Sequence, residues 1–405
     1  MDDKIKRLVD YCQGLYRGED GKTLYLKYLE DIQSITPQEL VLVEYEQLKL
    51  GLTPKQLLTV VDKLINVFYK SLSQYGWQHP GPNTFINDLM LENTGLRAYL
   101  DAFKSKIKAY QLSDLVPDLR QFVSVTKTYN AHLLKIENIL FPYMERADER
   151  FNGLQIMWSL HDDLRGLWKS LTEILAEHQD ASMFHEHHDA SMINFDELNI
   201  KIGELYFMLY GLAQKQELVL FPSATERLTP EVMLSMRQQS AEYDFSFIEK
   251  PEIDVKHASI THINNTPKGL LNFFESETGH MDMEQLQLLL DCLPIDMTLV
   301  DEHDKVAFFS RPKDRIFPRS AAIIGRDVRN CHPPESVHVV EDILKAFKRG
   351  EQDEASFWIQ MRGMFIHIQY FALRNSDGTY RGTLEVSQEI SHLRALEGER
   401  RLLDW

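Results

Sequence analysis

The chain has little of what a secreted protein, a membrane protein or a nucleic-acid binder needs. Its three cysteines, Cys12, Cys292 and Cys331, lie far apart with no C-x-x-C spacing, which argues against a disulfide framework or a thiolate zinc site and fits a reducing compartment. No apolar run reaches the roughly 18 residues of a membrane span, and the opening Met1, Asp2, Asp3, Lys4 lacks the apolar stretch of a secretory leader. The expectation is a cytoplasmic protein with no membrane contact. Positive charge is also short: 44 Lys and Arg stand against 61 Asp and Glu, a formal charge of -17. With no dense basic cluster, nucleic acid is not an expected partner. Glycine-rich phosphate loops and nucleophile elbows are missing, and no kinase or cyclase pattern follows the last domain, so the chain is not expected to be an enzyme.

What is present is enough for several packed cores. At 405 residues the chain exceeds what one core usually serves, and two or three domains are expected. Residues 1–75 read as amphipathic helices, with Pro37 and Pro54 each following a Thr, the pattern of a Thr cap with Pro in the first helical turn. A Gly- and Pro-rich break covers residues 76–82. Four long helical patterns follow near 85–110, 117–147, 154–178 and 195–222, then a shorter helix, which predicts a four-helix bundle over 78–250. Two of these helices share a phrase: Lys135, Glu137, Leu140, Phe141, Pro142 recur as Lys215, Glu217, Leu220, Phe221, Pro222, suggesting a duplicated helical hairpin.

Residues 251–282 read as a linker with a short helix at 270–274. The period then changes from 3.6 to 2. Residues 297–300 and 305–309 flank a turn, 335–348 is helical, and three strands follow at 356–361, 365–373 and 382–388, divided by Arg362-Gly363 and by the turn at 375–378. That order predicts an α/β domain over 283–392 with a five-stranded antiparallel sheet. A C-terminal helix is expected over 393–405.

These phrases resemble a bacterial family that joins an N-terminal helical domain of unknown function, a hemerythrin-like (HHE cation-binding) bundle and a C-terminal PAS domain. The PAS resemblance is carried by Arg315-Ile316-Phe317, Gly325-Arg326, Cys331-His332-Pro333-Pro334, Phe357-Trp358-Ile359, Gly378-Thr379-Tyr380 and Leu384-Glu385-Val386. The bundle resemblance is carried by His132, Glu137, Met157-Trp158, His161-Asp162, Glu217 and the two Leu-Phe-Pro phrases. It implies a non-haem iron centre built from His132, Glu137, His161, Glu217 and Glu92. Departures from the family pattern are visible: Ile136, Leu212 and Gln216 stand at three ligand positions, and Val61-Asp62-Lys63-Leu64 replaces a Cys-Asp-Val-His run. Glu137 lies five residues after His132, about 140° around an ideal helix, so both reach one metal only if the helix is distorted.

Three further features bear on function. Phe184-His185-Glu186-His187-His188-Asp189 gathers imidazoles and carboxylates in a connection, read as a solvated loop with a biological metal site as the alternative, and able to take up adventitious nickel or zinc. His332 and His338 are candidate cofactor ligands, with core, loop or helix-margin roles as the alternatives; the PAS ligand stays open. Cys331 beside His332 is either inert or redox-responsive. The resulting expectation is a cytosolic sensory or signalling protein in which a PAS domain and a divergent hemerythrin-like bundle respond to redox state, oxygen, nitric oxide or iron. The alternatives are an iron-handling or iron-cluster repair protein and a metal-free interaction scaffold. The expected partner is a protein or a second copy, met through the PAS domain and the C-terminal helix.

Overall fold

A computed structural model describes residues 2–107, 116–183, 195–253, 273–276 and 278–399. It divides into two compact units, residues 1–258 and 259–405.

The first unit is helical. Helices α1 (Asp3–Tyr16), α2 (Gly21–Lys27), α3 (Leu29–Gln33), α4 (Pro37–Lys49) and α5 (Pro54–Ser73) open it. Both expected starts are built as reciprocal caps: Thr36 with Glu39, and Thr53 with Gln56, each with Pro in the first turn. Helices α6 (Phe85–Ile107), α7 (Val116–Lys127), α8 (Asn130–Lys135), α9 (Phe141–Ala147), α10 (Gln155–Met183), α11 (Phe195–Lys215), α12 (Phe221–Arg227) and α13 (Pro230–Ser240) complete it. One apolar core runs from Leu8 and Phe68 to Leu140, Trp168 and Phe221, so the stretch 76–82 passes within this unit. The opening helices are held to the later ones by polar contacts as well: Lys215 Nζ lies 2.7 Å from Glu44 Oε1, and Tyr75 donates to Glu226 Oε1 at 2.6 Å.

The repeated phrase has a structural signature. Between α8 and α9 the chain forms a π-helical turn at Ile136–Leu140, and between α11 and α12 another at Gln216–Leu220. The cause is the proline of each phrase. Pro142 and Pro222 cannot donate to the carbonyl four residues back and crowd it. The ladder widens instead, with Phe141 N bonding Ile136 O and Phe221 N bonding Gln216 O.

The second unit begins with a hairpin, β1 (Phe273–Ser276) paired with β2 (Gly279–Asp282). Phe273 and Phe274 therefore lie in a strand, and the short helix expected over 270–274 is corrected at those two residues; Gly279 at φ +144 supplies a turn conformation that closes a hairpin. Helix α14 (Met283–Cys292) follows, capped by Asp282 and Gln285. The main sheet holds β3 (Asp296–Asp301), β4 (Val306–Phe309), β5 (Glu354–Met361), β6 (Met364–Arg374) and β7 (Tyr380–Glu389) in the order β4-β3-β7-β6-β5, all antiparallel. Helix α15 (Val337–Arg349) lies between β4 and β5 in sequence. Val340 and Leu344 on α15 cluster with Val300 on β3, which identifies the inner face of the sheet.

The expected helix over 393–405 is also corrected. Helix α16 spans only Ser391–Arg394, residues 396–399 are not helical, and Gly398 sits at φ +66. Residues 400–405 lie outside the described chain, as does the histidine-rich phrase at 184–189.

Candidate functional site

In the helical unit the structure divides the five candidate ligands among three separate ion pairs. His132, His161 and Glu92 are fully buried, and Glu137 nearly so. Glu217 is not interior: it is half-buried and paired with Arg97 at 2.7 Å. The buried polar side chain of that turn is Gln216.

Glu92 is saturated by donors. His132 Nδ1 lies 2.9 Å from its Oε2, while Lys135 Nζ and Ser246 N each lie 2.7 Å from its Oε1. The other nitrogen of His132 is 2.9 Å from Gln216 Oε1, which also accepts from Asn93 at 3.0 Å and Tyr129 at 3.1 Å. Burial alone would raise the Glu92 carboxyl, but His132 and Lys135 hold it below the usual range. The Lys135 ammonium is lowered by burial, with Glu92 opposing.

The second cluster joins α8–α9 to α10. His161 Nδ1 lies 2.7 Å from Glu137 Oε1, and Arg165 donates to both Glu137 oxygens at 2.8 and 2.9 Å. Burial raises the Glu137 carboxyl, and Arg165 and His161 more than reverse it. The His161 imidazole is lowered by burial, with Glu137 opposing. His161 Nε2 is buried without a hydrogen-bond partner among the described residues.

These donors do not fit an iron pair. A di-iron site needs carboxylate oxygens and imidazole lone pairs left free for cations. Here each carboxylate already carries a protein cation: Lys135 on Glu92, Arg165 on Glu137, Arg97 on Glu217. Both ring nitrogens of His132 are already engaged, Nδ1 by Glu92 and Nε2 by Gln216. The π-turn that could have turned Glu137 toward His132 instead places it on His161. Among the described residues no group of three or more His, Cys, Asp or Glu is arranged to hold a metal ion.

In the second unit, His338 is exposed on α15. His332 is half-buried, and its Nδ1 lies 2.8 Å from the carbonyl of Val328. A carbonyl only accepts, so Nδ1 carries the proton and Nε2 has the lone pair. Its imidazole is lowered by burial, and Arg319 and Arg326 act in the same direction against Glu385. Cross-strand register sets Thr298, Glu385 and Tyr370 in one row and Asp296 and Ser387 in the next, on the face that carries Val300. Tyr370 donates to Glu385 Oε1 at 3.3 Å. Sequence reading had no signal for this row, because Asp296, Glu385 and Tyr370 are far apart in the chain and meet only through strand pairing.

The opposite face mixes apolar side chains with Glu354, Gln369, Ser356, His367 and Gln388. Leu299, Leu384 and Phe371 form one cross-strand row, Met297 and Val386 the next, and Trp358 on edge strand β5 is 67% exposed. Helix α14 has no buried residue, and its Leu288 is 63% exposed.

Residues 286–391 match the family model described as a PAS domain. Among solved structures, a C-terminal domain from Streptococcus mutans is 28% identical, with 31% of this chain and 97% of that chain covered and a TM-score of 0.30. The PAS domain of BvgS from Bordetella pertussis is 15% identical, covering 28% and 91% with a TM-score of 0.23. A sensory box sensor histidine kinase from Vibrio cholerae is 15% identical, covering 26% and 89% with a TM-score of 0.21. No curated protein matches the chain. The family match and the five-stranded antiparallel sheet identify residues 286–391 as a PAS domain.

Proposed function

We propose that the chain is a sensory protein without catalytic activity, in which the PAS domain takes a small molecule against the inner face of its sheet and reports through contact with a second copy across the outer face. The observation that carries this reading is the split character of the sheet. Its inner face holds buried polar groups, and its outer face carries apolar rows on β3, β7 and β6 with the 67% exposed Trp358 on the edge strand, a large exposed apolar side chain of the kind that marks an interaction surface. The helical unit supports a structural role, the metal-free alternative, since its carboxylates are neutralised internally. Iron handling and oxygen or nitric oxide sensing through that unit have no free ligand set in their favour among the described residues.

The test is the mass of the full chain in solution, with and without Trp358→Asp. Self-association that is lost in the variant supports the proposal. A monomeric parent would refute the second copy as partner, and an unchanged dimer would place the contact elsewhere.

A further inference from the structure

Three buried polar atoms of the PAS domain have no hydrogen-bond partner among the described residues and share one region: Asp296 Oδ1, Ser387 Oγ and Arg319 Nε. Asp296 and Ser387 are directly opposed in the pairing of β3 with β7, next to the Thr298–Glu385 pair. Asp296 is held in place by its other oxygen, which accepts from Ile316 N at 3.1 Å and Phe317 N at 3.0 Å. That leaves Oδ1 uncommitted. Burial raises the Asp296 carboxyl while Arg315 and Arg319 oppose it, and Arg319 acts in the same way on His332 and Tyr370. Arg319 stands two residues after Phe317, whose amide bonds Asp296, so its backbone lies close to that carboxylate.

Buried donors and acceptors left unpaired cost about 1–3 kcal/mol each, and such groups in a native fold call for an explanation. A ligand supplying the missing partners would need two kinds of group at once. Arg319 Nε calls for an acceptor, best an anionic one. Asp296 Oδ1 and the lone pair of His332 Nε2 call for donors. Arg315, Arg319 and Arg326 stand against Asp296 and Glu385, one positive charge in excess, so a zwitterion or a monoanion is buried at less cost than a cation or a dianion.

Resting on the reading that the PAS domain is a ligand-binding sensor, we propose that the site takes a small carboxylic acid with an amine or hydroxyl on the adjacent carbon. The carboxylate meets Arg319, and the donor meets Asp296 and His332. Ser387 supplies a hydroxyl to either end.

The test uses the full chain and two panels, the common 2-amino acids and their 2-hydroxy analogues, read by thermal unfolding and by titration calorimetry. At a hundredfold excess over Kd, a true ligand should raise the PAS transition by about 5 °C or more. Arg319→Gln should weaken binding at least tenfold. Ser387→Ala removes a hydroxyl that has no partner, so it should weaken binding while leaving the unliganded transition within about 3 °C. Which panel responds distinguishes an ammonium from a hydroxyl donor. Binding of an apolar probe such as haem, unaffected by either variant, would overturn the ligand class and leave the sensor reading intact. No response to either panel or to haem, with ordered water on all three atoms in a crystal structure, would overturn both.

Discussion

Lys135 Nζ lies 2.7 Å from Glu92 Oε1, with both side chains out of contact with solvent. The ammonium also donates to Asp244 O at 3.0 Å and sits over the Phe245 ring. A buried charge pair of this kind adds little over an apolar substitute, but removing one partner strands the other. Lys135→Met should therefore destabilise the helical unit by about 3–5 kcal/mol, measured from the denaturant midpoint of the full chain. Adding Glu92→Gln should recover part of that loss. A single variant within 1 kcal/mol of the parent, taken as about the worth of an exposed pair, would show that Lys135 does not neutralise Glu92.

The same pairing governs metal uptake. For iron to bind, it would have to displace Lys135, Arg165 or Arg97 from its carboxylate, and in the case of Lys135 strand a buried cation. Full-length protein incubated anaerobically with ferrous iron and then desalted should retain well under about one equivalent. Stoichiometric binding of an iron pair, with an oxo-bridge absorption band on exposure to oxygen, would show that the ion pairs yield.

How much of this was legible in the sequence depends on the range of the interaction. The caps at Thr36 and Thr53, the strands of the PAS domain and its helix were readable because short-range pattern and turn chemistry decide them. The π-turns were only half readable. The offset of 80 residues showed that Glu137 and Glu217 occupy equivalent turns, but not that one would be buried against Arg165 and the other half-exposed on Arg97. Those environments are set by partners on other helices. The helix expected after Ser391 rested on Leu393 and Leu396, but both are exposed, so no buried stripe carries it past Arg394.

Gly382 fixes the centre of the PAS sheet. It pairs with Asp301 on β3 at φ +141, and a Cβ there would collide with the carbonyl of Val300. Gly382→Ala combines an unfavourable backbone conformation with a clash against a neighbouring strand, and should cost about 3 kcal/mol or more. The expected result is a lowered PAS transition with the helical transition unchanged. An unaltered PAS melting temperature would mean that β7 shifts to accommodate the methyl group.

Asp304 ties the β3–β4 turn to α15. Its carboxylate pairs with Lys348 at 2.6 Å and Arg329 at 2.9 Å. Burial pushes the group up, but these two cations prevail and hold it below the ordinary 3.8. A carboxyl depressed in the folded state binds fewer protons there than when unfolded, so it stabilises the fold above about pH 3.8. That contribution is lost as pH falls below 3.8 through the lower folded value. Asp304→Asn removes the titrating group. The variant should be less stable than the parent at neutral pH, and the difference should shrink on acidification, followed by urea unfolding of the PAS transition from pH 7 to pH 3. A difference that stays constant across that range would mean the variant acts through packing at the turn, where Asp304 has φ +65, and not through its charge.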